Sequence, residues 1–443
     1  MTRRTFRYTT VIAVVVANMI GTGVFTSLGF QLIDIRSGFV LLMLWAVGGV
    51  TALCGAMTYA ELGAALPRSG GEYNFLSRIY HPAAGFVSGW VSATIGFAAP
   101  TALAAITFAA YGATVFPDDV GDWAKKIAAA ALVVVLTAIH AGTRRNSGGL
   151  QVVFTVLKVG VIIAFCLAAV AMIDTPQSVD FLPATGDGAL LTSGAFAVSL
   201  IYVSYAYTGW NAATYLSSEL EDPQHTLPII LIVGTSIVML LYVALNAVFL
   251  SVADMDAMVG QVEVGAIAAQ AAFGESGGRF TGLVLALLLI STVSAMTIAG
   301  PRVLQVVGED FDGLRFLAQT NDDGIPSNAI WLQSTLTIVF ILTSTFESIL
   351  VFAGFTLALN SFATVLGIFV LRLRQPNLPR PYRTFLFPIP PLIYLALTGW
   401  TLFFVLQNRP TEGLFGLGLI GSGLLFYFLS ARDGRRQSSS TSS

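Results

Sequence analysis

The chain has 443 residues, of which 55% are hydrophobic and 10% charged, with a mean hydropathy of +0.79 and a formal net charge of -2. That apolar excess is more than a soluble core needs and places the chain among polytopic membrane proteins. The near-neutral balance, with arginines gathered at the ends of apolar runs, gives no basis for nucleic-acid binding.

Apolar runs of about 20 residues predict an all-α protein with about twelve transmembrane spans. The first begins near Thr9 and is interrupted at Ile20-Gly21-Thr22-Gly23-Val24-Phe25. It is too long and too early-broken for a signal peptide and no small-residue cleavage site follows, so it is expected to stay in the protein. Spans two to five follow at about 38–66, 83–116, 127–141 and 150–173. The sixth, at about 190–216, is interrupted at Ser204-Tyr205-Ala206-Tyr207-Thr208-Gly209-Trp210-Asn211. Spans seven to twelve run at about 227–252, 280–307, 329–345, 348–371, 388–406 and 414–429. The serine-rich segment 431–443 is expected to be a disordered cytoplasmic tail without a catalytic role, and no separate soluble domain is expected. Cys54 and Cys166 fall inside spans, which argues against a disulfide framework.

The two interruptions occupy matching places, one early in spans one to five and the other early in spans six to ten. An odd number of spans per half forces the halves into opposite orientations, which makes residues 1–173 and 190–371 an inverted repeat, with helices 11 and 12 at 388–430. Unwound backbone in lipid is tolerated only where it lines a protein or aqueous cavity. Half-helix amino termini there suit a carboxylate and unwound carbonyls suit an ammonium group. Glycine also serves close helix packing, and Gly85-Phe86-Val87-Ser88-Gly89 is read as only that.

Basic residues set the orientation. With the amino terminus inside, Arg3, Arg4, Arg7, Arg68, Arg78, Arg144, Arg145, Arg302, Arg315, Arg372, Arg374, Arg380, Arg383, Arg432, Arg435 and Arg436 lie inside. Arg36, Lys125, Lys126, Arg279 and Arg409 lie outside, so both termini are expected to be cytoplasmic. The remaining basic residue, Lys158, sits within the fifth span in Val156-Leu157-Lys158-Val159-Gly160, where an ammonium is expensive. Snorkelling to the cytoplasmic surface is the structural alternative to a functional role.

With the Gly-Thr-Gly break, the stretch Tyr59-Ala60-Glu61-Leu62 through Pro67-Arg68-Ser69-Gly70-Gly71-Glu72-Tyr73 and the segment Tyr205 to Asn211, followed by Glu219-Leu220-Glu221-Asp222-Pro223 and Leu227-Pro228, the chain resembles the amino acid-polyamine-organocation transporters. Within that superfamily it is most similar to the L-type amino acid transporter branch. The resemblance spans most of the chain and implies a five-plus-five inverted-repeat fold with helices 1 and 6 broken around the substrate. It also implies that Gly21, Thr22 and Gly23 donate amides to a substrate carboxylate, that Met19 and Ile20 offer carbonyls, and that Tyr205, Ala206 and Thr208 receive the ammonium on backbone carbonyls and shape the side-chain pocket. Tyr205 stands at the place of the family's gating aromatic, with a tyrosine where phenylalanine is usual. Two further departures are Thr208, where L-type transporters usually have glycine, and His225, where arginine is usual. A threonine at the pocket floor removes space and favours smaller neutral substrates.

In sodium-coupled relatives of this fold a cation lies between helices 1, 5 and 8, and in several sodium-independent members a lysine on helix 5 resembles Lys158 in position. The resemblance implies that its ammonium replaces sodium, bonding to carbonyls near Met19 to Gly21 and to hydroxyls such as Ser291 or Ser294. A buried lysine also leaves proton coupling open.

Other polar residues carry less information. Glu61 and Arg302 lie toward cytoplasmic helix ends, where a gate-closing salt bridge and hydrated positions are both open. Asn18, Asn211, Asn246 and Asn360 are expected to bond across helices, with Asn211 close to the second break. The three histidines form no metal cluster, and no cofactor is expected. Gly274-Glu275-Ser276-Gly277-Gly278 and Gly416-Leu417-Gly418-Leu419-Ile420-Gly421 fit nucleophile-elbow and dinucleotide patterns, but neither has the strand-turn-helix context that such chemistry needs. The leading expectation is a sodium-independent secondary transporter or exchanger of neutral L-amino acids in the plasma membrane, not an enzyme. A non-transporting amino acid sensor, or a carrier of another small organic amine such as a polyamine, is the alternative. Exchange, facilitated diffusion and proton symport all stay open, as does the oligomeric state.

Overall fold

The computed structural model describes residues 8–68, 70–118, 120–142, 148–173, 175–211, 213–214, 220, 222–310, 312–322 and 324–440. The side chains at 8–10, 14, 17, 148–155, 310, 312 and 430–440 are not among those described. The orienting residues Arg3, Arg4, Arg7, Arg144 and Arg145, the motif residues Ser69, Glu219 and Glu221, and the side chains of the expected tail therefore lie outside the described residues.

Among the described residues, twelve helical spans follow one another in the expected order. Helix 1 is two pieces, Tyr8–Met19 and Gly23–Gln31. Helix 2 is Gly38–Ala65, helix 3 is Pro82–Ala113 and helix 4 is Asp122–Gly142. Helix 5 is Gly148–Met172 and helix 6 is Gly194–Ala206. Helices 7 to 12 are Pro223–Val252, Val264–Asp310, Ser327–Thr343, Phe346–Arg374, Ile389–Asn408 and Pro410–Ser440. Eight of these are long and apolar enough to cross a bilayer by themselves, and three shorter apolar helices join them. Helix 8 starts well before the expected 280 because a first helical stretch runs into it across a kink at Gly274, which adopts φ 75°. The glycine-serine pattern at 274–278 is thus a helix kink with no strand before it.

The ends obey local rules. Ser37, Ser193 and Thr345 each accept a hydrogen bond from a first-turn amide of helices 2, 6 and 10. Helix 10 carries Glu347 in its first turn and Arg372 and Arg374 in its last, matching the helix dipole. Helix 3 contains a π-helical turn at Ser92–Gly96, just before Pro100, an irregularity typical of functional helices.

Packing follows the repeat. Helix 2 lies along helix 7, helix 3 along helix 8 and helix 4 along helix 9, each pair joining equivalent members of the two halves. Helix 1 also packs on helices 5 and 7, as helix 6 packs on helices 10 and 2. Trp45, Tyr207 and Tyr242 form a fully buried aromatic cluster behind the two breaks, with Trp45 edge-on to Tyr242 at 5.6 Å and Tyr207 donating to the Trp45 carbonyl at 3.0 Å. On the outer faces Val135, Leu167, Leu240, Phe280 and Leu425 are exposed, as expected of side chains that meet lipid. Gly85 approaches the Tyr73 carbonyl and the Ser77 hydroxyl so closely that a Cβ would collide with both, so this glycine segment serves packing. Cys54 and Cys166 are both free thiols.

Candidate functional site

The breaks arise where glycine removes the helical preference. In helix 1 the Ile20 amide still reaches back to the Val16 carbonyl at 3.0 Å, but the Gly21 amide turns onto the Met19 carbonyl at 2.8 Å. The second piece starts at Gly23, with Thr22 before it and no side chain capping the new amides. The Phe25 amide bonds back to the Thr22 carbonyl at 3.0 Å, while Thr22 and Gly23, at the uncapped helix start, line a cavity, which is an anion-binding arrangement. Gly21 is different from the expectation, because its amide is already bonded within the turn. In helix 6 the last regular residue is Ala206, and Gly209 adopts φ 99°, which an L side chain rarely takes.

The two breaks interlock. A Cβ on Gly23 would lie 2.6 Å from Ala206 Cα, and one on Gly209 would lie 2.8 Å from the Asn18 carbonyl. Each glycine thus packs on the backbone that ends the other half-helix.

Around this crossing is a cavity of about 330 Å³ that all of Met19, Ile20, Gly21, Thr22, Gly23, Tyr205, Ala206 and Thr208 line. Helix 3 contributes Ser92, Gly96, Phe97 and Pro100, helix 8 contributes Ala295, Met296 and Ala299, and helix 10 contributes Leu357 and Ser361. Among the described residues that line it, Lys158 and Glu72 are the charged ones. Tyr205 is 5% exposed, and its side chain lies against that of Thr22 in the cavity wall.

Several carbonyls expected to await an ammonium are engaged. Tyr242 of helix 7 places its hydroxyl 2.5 Å from the Met19 carbonyl and 3.2 Å from the Ala206 carbonyl. Thr208 donates its hydroxyl to the Tyr205 carbonyl at 2.6 Å, and its amide does so at 2.9 Å. The Thr208 side chain therefore caps its own half-helix as well as occupying the cavity wall.

Lys158 points into the bundle, and its ammonium donates to the Thr292 hydroxyl of helix 8 at 2.7 Å. The partner is not Ser291 or Ser294. Ser291 bonds the Leu288 carbonyl of its own helix, and Ser294 meets His140 at 2.8 Å, because helical rotation turns each to another face. This geometry differs from snorkelling, since the ammonium is held by Thr292 and Lys158 is among the residues that line the cavity.

Glu61 pairs with Arg372 instead of Arg302, which is exposed. Arg372 holds both carboxylate oxygens, at 2.9 and 2.7 Å, while Arg380 approaches at 3.5 Å and the Thr384 amide donates at 2.7 Å. Helix 10 thus brings its last-turn arginine to the end of helix 2, a pairing between distant segments. Of the asparagines, Asn211 and Asn360 do bond across elements, both to Glu72, whereas Asn246 donates to the Tyr242 carbonyl in its own helix. Sequence reasoning placed Glu72 only in a motif and did not single out Tyr242 or Thr292. A tyrosine hydroxyl within an apolar span, which must find an acceptor, was the available signal for Tyr242.

Comparison with known proteins agrees with this architecture. A family model described as amino acid permease matches residues 6–424. The large neutral amino acids transporter small subunit 2 of Rattus norvegicus is 29% identical over 438 residues, covering 94% of this chain and 78% of that protein. The b(0,+)-type amino acid transporter 1 of Mus musculus is 26% identical, covering 94% and 86%, and the Asc-type amino acid transporter 1 of Mus musculus is 27% identical, covering 94% and 79%. A family of permeases rather than enzymes matches, almost end to end, a chain built on two helices broken around one cavity, and this fixes the assignment: the chain belongs to the amino acid permease family.

Proposed function

We propose that this protein is a sodium-independent secondary transporter of neutral L-amino acids, working by alternating access around the cavity between its two broken helices. The observation that carries this reading is that uncapped amides of helix 1 and the end of helix 6 meet across one cavity of about 330 Å³. That is near the lower end of the roughly 300–1,000 Å³ usual for small-molecule pockets, a size suited to a single amino acid. The substrate carboxylate sits on the Thr22 and Gly23 amides, and its ammonium lies toward the carbonyls of the breaks. The side chain lies against Phe97, Pro100, Met296 and Leu357, an uncharged wall that suits neutral substrates. Lys158 supplies the positive charge that a sodium ion supplies elsewhere, holding helices 5 and 8 together through Thr292.

Residues 1–173 and 190–371 act as the two repeats, both termini face the cytoplasm and the membrane is the plasma membrane, a reading supported by the arginine bias of the connections. The test is uptake of labelled amino acids, with a polyamine in the panel, into proteoliposomes that are empty or preloaded with unlabelled amino acid, in sodium and in choline buffers. Uptake of neutral amino acids in both buffers supports the reading. Uptake only into preloaded vesicles identifies an exchanger. Binding without uptake in either preparation replaces the transporter by a sensor.

A further inference from the structure

Glu72 lies in the first turn of the short helix Gly71–Ile79 that follows helix 2, and it is 4% exposed although it borders the cavity. Among the described residues, four neutral donors from three other elements converge on its carboxylate. Tyr59 of helix 2 donates to Oε1 at 2.6 Å, Ser361 of helix 10 at 2.9 Å and Asn211, beyond the break in helix 6, at 3.2 Å. Asn360 of helix 10 donates to Oε2 at 2.8 Å.

We propose that Glu72 is the positioning residue of the inner gate, latching the unwound end of helix 6 to helices 2 and 10 so that the cavity stays closed on that side. The inference rests on the alternating-access reading above, which also places the connection between helices 2 and 3, flanked by Arg68 and Arg78, at the cytoplasmic face. Hydrogen bonds to an ionised acceptor are roughly twice as strong as neutral ones, so one carboxylate can hold three elements at once. Among the described residues, the tie to helix 6 is the longest of the four. When Asn211 leaves, Tyr59, Ser361 and Asn360 still satisfy the carboxylate. Opening on that side then leaves no bare buried charge, which would be far more costly. The latch is therefore firm when closed and keeps its carboxylate satisfied when released.

The decisive variants are E72Q and the exchange E72Q/N360D. A glutamine oxygen takes the place where three donors meet, and Asn360 accepts from its amide after turning over, so E72Q keeps the packing and removes the charge. E72Q/N360D returns a carboxylate to the same junction. The reporter is Ser92→Cys in the cavity wall, in a Cys54→Ala/Cys166→Ala background, labelled in proteoliposomes by a membrane-impermeant thiol reagent from either face.

We expect E72Q to raise labelling from the cytoplasmic face by about threefold or more and lower it from the outer face, a modest population shift for one weakened latch. The maximal uptake rate falls while binding of a labelled neutral amino acid to solubilised protein is kept, and E72Q/N360D restores the parental labelling. Unchanged labelling on both faces in E72Q overturns the proposal. So does lost binding without altered labelling, which makes Glu72 a substrate ligand, and so does failure of the exchange to restore the pattern. A parental protein that neither binds nor carries amino acids sinks the transport reading instead, while the labelling asymmetry still decides the latch.

Discussion

Tyr242 caps Met19: its hydroxyl lies 2.5 Å from the carbonyl of the last residue in the first half-helix, and 3.2 Å from that of Ala206, the last regular residue of helix 6. One phenol on helix 7 thereby sits at the ends of both broken helices. Tyr242→Phe keeps the ring against Trp45 and removes the shared donor. A loss of about 1 kcal/mol is expected, since a buried carbonyl loses one of its partners. It is read as a lower unfolding temperature in detergent, together with a higher KM for uptake as the two breaks lose their common tie. An unchanged unfolding temperature and KM would show the hydroxyl to be idle.

Gly23→Ala is expected to reduce uptake by about tenfold or more, the equivalent of 1.4 kcal/mol, because the new Cβ meets Ala206 backbone that has no room to give. Gly209→Ala adds backbone strain at φ 99° to its collision with Asn18 and should also lower the yield of folded protein. Size-exclusion profiles beside uptake rates separate the two effects.

Lys158→Ala should slow uptake sharply without abolishing folding, and Thr292→Val should weaken it less, since it removes only the hydroxyl that receives the ammonium. Replacing sodium by choline is expected to leave the wild-type rate unchanged. Wild-type rates in Lys158→Ala would return the lysine to a purely structural place, and a sodium requirement would contradict its role as the resident cation.

Thr208→Gly opens the cavity floor and frees the Tyr205 carbonyl from the threonine hydroxyl. The expected result is a shift in preference toward larger neutral side chains, measured by competition of unlabelled amino acids against one labelled substrate. An unaltered competition order would remove Thr208 from the size filter.

Arg372→Leu is expected to cost about 3 kcal/mol, at the lower end for breaking a buried pair, because Arg380 remains beside the 1% exposed Glu61. Chemical or thermal unfolding of the purified protein gives the number. A loss smaller than that of a typical surface pair would mean that Glu61 is held by Arg380 and the Thr384 amide instead.

The features legible in the sequence were those written in a few adjacent residues. Gly21-Thr22-Gly23 and Tyr205 to Gly209 announced where helices must stop, and apolar length announced the spans around them. Thr292 was missed in favour of Ser291 and Ser294 because one residue turns a helix by about 100° and only packing decides which hydroxyl faces the lysine. Arg302 and Arg372 are both arginines near helix ends, and only the crossing of helices 2 and 10 selects the second for Glu61. Glu72 stood in a polar connection, where nothing local signals that Tyr59, Asn211, Ser361 and Asn360 will bury it. Tyr242 belongs to the same class: its neighbours in the chain are apolar, and its task is defined by two carbonyls far from it in sequence.

The mutual glycine contacts couple the two breaks. Gly23 rests on the end of one half-helix and Gly209 near the end of the other, so each break sets the position of its counterpart. The contact at the centre of this protein is reciprocal, in the manner of a two-fold interface, but made within one chain. Within one chain the two sides need not be identical, and the lining differs accordingly: one break presents Gly21, Thr22 and Gly23, while the other presents Tyr205 and Thr208, so a reciprocal frame encloses an asymmetric cavity.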